Sequence, residues 1–263
     1  MDTIKNIRQS IVRMVHDSKS SHVGSCLSIV EILYVLYFEL MNVDTKDPKQ
    51  KTRDKLILSK GHASAALYAT LAERGFFPKN YLNRFYVDKG VLPGHVDFTA
   101  VPGLEASAGS LGHGLSIGLG MAIANKQMKN PGHVFVILGD GECNEGSVWE
   151  AVMLAAQLDL SNLTAIVDFN KLQGFGRTED IINQNNLRER WTAFGWSAQD
   201  VDGHDVIALK EALSKESNGP KVLIAHTVKG KGITFMEDKL EWHYKSPNDE
   251  EYKQAMIELG ASL

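Results

Sequence analysis

The amino-acid sequence predicts an α/β fold, a mostly parallel central sheet with helices on both faces. Three observations carry that expectation. Two uninterrupted apolar runs, Val134-Phe135-Val136-Ile137-Leu138 and Leu163-Thr164-Ala165-Ile166-Val167, are separated by a helix-length segment, which is how neighbouring buried parallel strands read. Each run ends in a polar turn, Gly139-Asp140-Gly141 after the first and Asp168-Phe169-Asn170-Lys171 after the second. No Pro-, Gly- or Ser-rich stretch is long enough to serve as a linker, so residues 1–263 are expected to form a single domain.

The elements follow in chain order. Ile4, Ile7, Ile11, Val12 and Val15 recur at helical period over residues 4–17. After a polar loop, residues 28–40 form a helix with apolar side chains on more than one face, which predicts burial on several sides. Residues 54–59 are a strand that opens into Lys60-Gly61-His62 and an alanine-rich helix over 63–74. Residues 75–109 are irregular, with three prolines and several aromatics; a loop of that length in a compact protein points to function.

A small-residue helix over 109–128 contains Gly112, Gly114, Gly118 and Gly120, which cost helicity and suggest a close neighbour. Residues 147–158 form the crossover helix, with Ser147 as N-cap and Glu150 completing a capping box. Helices over 188–194, 206–217 and 250–259 and a strand over 221–226 complete the pattern.

Composition excludes several function classes. Hydrophobic residues are 43% and charged residues 23% of 263, an ordinary globular balance. A net charge of −4 and a pI of about 6.1 argue against nucleic-acid binding, which needs a basic stripe. The longest apolar stretch, residues 29–40, is interrupted by Glu31 and Glu39, so no membrane span is expected. The N-terminus lacks an export signal, and Cys26 and Cys143 read as free thiols of a reducing compartment. A cytoplasmic location is expected.

Asp140 and Asn170, thirty residues apart, offer a divalent ion two side-chain oxygens at the ends of two strands. That is enough for Mg²⁺, a hard cation commonly bound through one or two carboxylates once a ligand's phosphates supply the rest. Asp-Gly alone is also an ordinary turn signal; the downstream Asn at strand-end spacing is what separates the readings.

This arrangement, Gly139-Asp140-Gly141 followed thirty residues on by Asn170, resembles the thiamine-diphosphate motif. From Ser21-His22-Val23-Gly24 to Trp242-His243 the chain is similar to the N-terminal, diphosphate-binding domain of transketolase. The resemblance implies the thiamine-diphosphate-binding fold, and Mg²⁺ (or Ca²⁺) held by Asp140, Asn170 and the Leu172 carbonyl. It assigns His62 mainly to the diphosphate, His22 and His243 to proton transfer, with His243 also touching the cofactor, and His95 to the donor's hydroxyl. Glu145 matches a glutamate near the interface with the pyrimidine domain, although a plain helix-start acid accounts for it equally well. Asp168 is assigned to orienting the ligand loop or the cofactor's pyrimidine end. Gly109, Ser110 and Leu111 match the turn beneath the aminopyrimidine, and Gly139, Gly141 and Glu142 belong to the diphosphate cradle.

Departures are visible too. His113 stands where the family commonly has glutamine, and the segment Gln173-Gly174-Phe175-Gly176 falls where the family has a cofactor-covering loop. Transketolases also continue into a pyrimidine-binding domain that supplies an activating glutamate, and 263 residues leave no room for one. The expectation is one half of a two-chain transketolase, moving a two-carbon ketol unit from a ketose phosphate to an aldose. A C-terminal subunit would complete the site, in an α₂β₂ assembly. Self-association through residues 29–40 or the glycine-rich helix is a further expectation. The competing readings are a non-catalytic cofactor-binding homologue and a 1-deoxyxylulose-5-phosphate synthase-like subunit. A dinucleotide-binding oxidoreductase lacks its Gly-x-Gly-x-x-Gly.

Overall fold

The strands β1 (Lys55–Leu58), β2 (Val134–Gly139), β3 (Leu163–Phe169), β4 (Ser197–Asp202) and β5 (Lys221–His226) lie side by side in a computed structural model that describes residues 2–261. Their order is β1-β2-β3-β5-β4 and every pairing is parallel. Parallel strands need crossover connections, and these run over both faces. One face carries α1 (Asp2–Ser18), α2 (Val23–Leu27), α3 (Val30–Tyr34), α4 (Ser64–Arg74), α9 (Val206–Ser214) and α10 (Asp249–Glu258). The other carries α5 (Gly114–Gln127), α6 (Gly146–Gln157) and α8 (Leu187–Ala193). A single turn, α7 (Thr178–Ile181), follows β3.

Strand periodicity divides the core in two. Leu56, Leu58, Phe135, Ile137, Ile166 and Leu223 pack toward the first face. Ile57, Val136, Leu138, Ala165, Val167 and Val222 alternate toward the second. Period-2 alternation within continuous apolar runs is what a sheet covered on both sides demands.

Several sequence expectations need correction. The helix expected over residues 28–40 begins earlier, as α2, breaks at Ser28 and Ile29, and resumes as α3 before a π-helical turn, Val35–Leu40. The break has a polar cause, since the Ser28 hydroxyl donates to Asp168 Oδ2 at 2.7 Å. Ile29, Ile32, Leu33 and Leu36 are wholly buried, so this segment offers no apolar face for self-association. Ser147 does not cap α6; its hydroxyl donates to the Gly112 carbonyl at 3.0 Å, and Glu145 holds the cap position without a side-chain bond. The small-residue helix starts at Gly114, leaving residues 109–113 as a loop. The edge strand β4 has no counterpart in the sequence expectations. Among the described residues no helix is long and apolar enough to cross a membrane.

Candidate active site

The sheet's register sets Asp140 and Asn170 next to each other. Gly139 pairs with Asp168, so β2 and β3 end together and the next residues of each enter one space. Asp140 is buried, and its Oδ1 accepts from the Gly141 N–H at 2.7 Å. Its Oδ2 accepts from the Lys171 N–H and the Thr178 hydroxyl, both at 2.8 Å. Burial, then the nearby Asp168 carboxylate, raises its pKa against those bonds. A cation beside it would relieve both effects. Asn170 donates to Asp168 Oδ2 at 2.8 Å, which fixes the amide so that its Oδ1 accepts from the Leu172 N–H at 3.1 Å. Lys171 has a left-handed backbone (φ 63°), a costly conformation held by the bond to Asp140.

Four of the histidines meet above this point. The His22 ring centroid lies 5.0 Å from His62, 5.2 Å from His243 and 6.2 Å from His95, and His62 lies 5.9 Å from His243. Two chain segments bring the central pair together. His22 precedes α2 with a left-handed backbone (φ 73°), and its N–H donates to the His243 carbonyl at 2.9 Å. Burial, then His95, Lys229 and Lys60, lowers the His22 pKa to about 4. Burial, then Lys229, His22 and Lys60, lowers that of His243 to about 3. His62 is pushed well below 6.5, first by burial and then by Lys60. All three rings are therefore neutral at pH 7, each with one N–H and one bare nitrogen. His95 is exposed at the rim, and His113 points out, bonded at 3.1 Å to the Leu111 carbonyl.

Two lysines missing from the sequence expectations are built into the site. Lys60 and Lys229 are each only 1% exposed, a burial lysine accepts only with partners. Lys60 forms an ion pair with Asp168 and donates to the Ser25 carbonyl at 3.2 Å. Lys229 donates to the Leu172 carbonyl at 3.0 Å and to His243 Nδ1 at 2.7 Å. Burial and then Lys60 lower its pKa to about 8. Asp168, completely buried, also accepts from Thr227, so it ties β3, β5, α2 and the segment after β1 behind the cavity wall. The Lys60 charge counters the burial that opposes its ionisation and holds its pKa low.

A cavity of about 390 Å³ gathers most of the expected residues, including the four histidines, Asp140, Asn170, Leu172, Gly109, Leu111, Gly139, Gly141 and Glu145. Ser110 is exposed outside it and Asp168 lies behind its wall. Glu142 borders the cavity, but its carboxylate is committed to the protein: it accepts from the Gly112 and Gly139 N–H groups at 2.8 and 3.0 Å and from the Ser59 hydroxyl. It shapes the cradle and leaves no oxygen free for a ligand. Glu145 is exposed at the start of α6. A larger groove of about 1020 Å³ lies at the opposite end of the strands, between Lys55 and Met128, and contains none of the candidate residues. Chemistry therefore selects the smaller cavity.

The donors fit a hard cation bound jointly with an anionic ligand. Asp140, the Asn170 amide oxygen and the Leu172 carbonyl are all oxygen donors at one spot, as Mg²⁺ or Ca²⁺ prefers. Among the described residues no group of three or more His, Cys, Asp and Glu side chains could hold a metal alone. Lys60, Lys229 and neutral histidines supply positive charge and N–H donors for a phosphate, and Gln173 Nε2 is buried with no partner.

Comparison with known proteins agrees with this arrangement. Residues 1–262 match the family described as transketolase, thiamine diphosphate binding domain. One of the two chains of an apulose-4-phosphate transketolase from Phocaeicola vulgatus is 40% identical over 97% of this chain and 92% of its own. A 6-deoxy-6-sulfo-D-fructose transketolase subunit from a Clostridium species is 41% identical over 90% of this chain and 88% of its own. Among solved structures, transketolase from Leishmania mexicana superposes with a TM-score of 0.93 at 26% identity, covering 99% of this chain. This chain spans 41% of that one's length.

Proposed function

Because this chain belongs to the transketolase family, as a thiamine-diphosphate-dependent subunit for ketol transfer, we propose that it moves a two-carbon ketol unit from a ketose phosphate, or a ketose with a similar anionic end, to an aldose acceptor. Residues 1–263 act as one diphosphate-binding domain and a second chain brings the pyrimidine-binding domain with its activating glutamate, in an α₂β₂ assembly. The observation that carries this reading is the single cavity in which His22, His62, His95 and His243 surround the Asp140–Asn170 pair. The similarly sized relatives named as subunits support a divided enzyme.

Thiamine diphosphate supplies the electron sink for breaking and making the carbon–carbon bond. Asp140, Asn170 and the Leu172 carbonyl hold Mg²⁺ or Ca²⁺ at its diphosphate. His62, Lys60 and Lys229 add hydrogen bonds and positive charge there. Gly139 and Gly141 keep that approach free of side chains, while Gly109 and Leu111 lie at the pyrimidine end. His22 and His243, neutral and half-buried, hold or move protons on the substrate's carbonyl and hydroxyl oxygens, and His95 orients the donor at the rim.

The test is ketol transfer by the two-chain assembly, screened with phosphorylated and sulfonated ketoses against a set of aldoses. Transfer dependent on thiamine diphosphate and Mg²⁺ is expected. Condensation of pyruvate with glyceraldehyde 3-phosphate, without ketose cleavage, would favour the 1-deoxyxylulose-5-phosphate synthase-like reading instead.

A further inference from the structure

One polar group in the cavity has no part in holding a diphosphate or a metal. Tyr244 follows the 3₁₀ turn Leu240–His243 and lines the cavity beside the histidines. Its ring centroid lies 4.5 Å from that of His243, edge to face, and 6.0 Å from that of His22. The residue is 59% exposed. Among the described residues its hydroxyl has no hydrogen-bond partner; its backbone N–H donates to the Glu241 carbonyl at 3.2 Å.

The phenol is held from two sides. A Cβ added at Gly174 would lie 2.5 Å from the Tyr244 hydroxyl and 3.3 Å from His243 Nε2, so the glycine leaves the space that the phenol fills. Gly174 belongs to a hairpin closed by the Gln173 N–H to the Gly176 carbonyl at 2.9 Å and by the Leu172–Arg177 bridge. Arg177 pins that hairpin to Asp238 through two bonds of 3.2 and 2.8 Å. A hydroxyl so placed is pre-organised, and it can both donate and accept.

Depth within the cavity indicates what it meets. His62 is the most buried of the group, His22 and His243 are half-buried, and Tyr244 is open at the mouth. A sugar whose reacting end reaches the histidines must run outward past Tyr244. We infer that Tyr244 is a specificity-determining residue: its hydroxyl hydrogen-bonds a hydroxyl of the sugar chain beyond the reacting carbons. This inference rests on the ketol-transfer reading.

The experiment uses the two-chain holoenzyme, one donor, and two acceptors that differ in length, glycolaldehyde and ribose 5-phosphate. Tyr244→Phe removes the hydroxyl and keeps the ring. It should raise KM for ribose 5-phosphate roughly two- to tenfold, the value of one hydrogen bond. KM for glycolaldehyde, kcat and the affinity for thiamine diphosphate should stay as in the unmodified enzyme. An unchanged KM for ribose 5-phosphate, an equal rise for both acceptors, or a parallel fall in cofactor affinity would overturn the inference. Failure of the unmodified assembly to use either acceptor would overturn the ketol-transfer reading, and this inference with it.

Discussion

Lys229 donates a hydrogen bond to Nδ1 of His243 at 2.7 Å while also holding the Leu172 carbonyl at 3.0 Å. One ammonium group therefore couples the carbonyl at the metal position to the histidine above it. The contact places the imidazole proton of His243 on Nε2, because Nδ1 must accept. After burial, the Lys229 charge is the largest cause of the lowered His243 pKa. Lys229→Met should move that pKa upward from about 3, though not as far as 6.5, since burial remains. Imidazole proton NMR across a pH series measures this, and a His243 that titrates as before would refute the coupling.

Stability should fall as acid is added. The folded pKa values of His22 and His133 are near 4 and that of His243 is near 3, all below the ordinary 6.5. Between those limits the unfolded chain binds more protons, so stability is fully present above about 6.5 and is lost as pH drops toward 4. Lys229, lowered to about 8, adds a second rise in stability as pH increases from 8 to its ordinary 10.5. His133 is bonded to Thr164 far from the cavity, so His133→Gln isolates one contribution. Urea midpoints between about pH 7 and 4 should show a shallower decline for that variant, and an identical decline would contradict the assignment.

The metal position makes a separable demand. Asp140→Asn keeps the side-chain shape and most of its bonds but removes the charge. Loss of affinity for thiamine diphosphate with Mg²⁺ should exceed the roughly 10- to 100-fold that removing a ligand's supporting partner costs. Titration calorimetry on the assembly would measure it, with circular dichroism to verify the fold. Unchanged affinity would remove Asp140 from the metal site.

Away from the cavity, Glu31 joins four parts of the chain. It pairs with Arg8 of α1 at 2.7 Å and accepts from His204 Nδ1 at 3.0 Å; His204 Nε2 in turn accepts from the Val228 N–H at 2.8 Å, next to Lys229. Glu31→Ala leaves a buried arginine unpaired and should cost about 3–5 kcal/mol of stability. Chemical denaturation measures this, and a loss below about 1 kcal/mol would mean that the network is solvated.

The sequence made four of the five strands legible because β1, β2, β3 and β5 are covered on both faces and must be continuously apolar. The fifth, β4, lies at the sheet's edge as Ser197-Ala198-Gln199-Asp200-Val201-Asp202, with Val201 its buried residue, and carries no strand periodicity. Spacing pointed to Asp140, Asn170 and the turn histidines, since strand ends converge in parallel sheets. Lys60 and Lys229 stayed hidden because a lysine beside glycine reads as solvated loop; their burial depends on Asp168 and Leu172, distant in sequence. Glu142 looked like a ligand from its place in the motif, and only the fold brings Ser59 and Gly112 to its carboxylate.

The central claim is that this chain holds the diphosphate half of a site completed by another chain. The direct measurement is ketol transfer from a ketose phosphate to an aldose, assayed for this chain alone, for the pyrimidine-binding chain alone and for the co-purified pair, each with thiamine diphosphate and Mg²⁺. Transfer by the pair and none by either chain alone is the predicted result; full transfer by this chain alone, or none by the assembled pair, would contradict it.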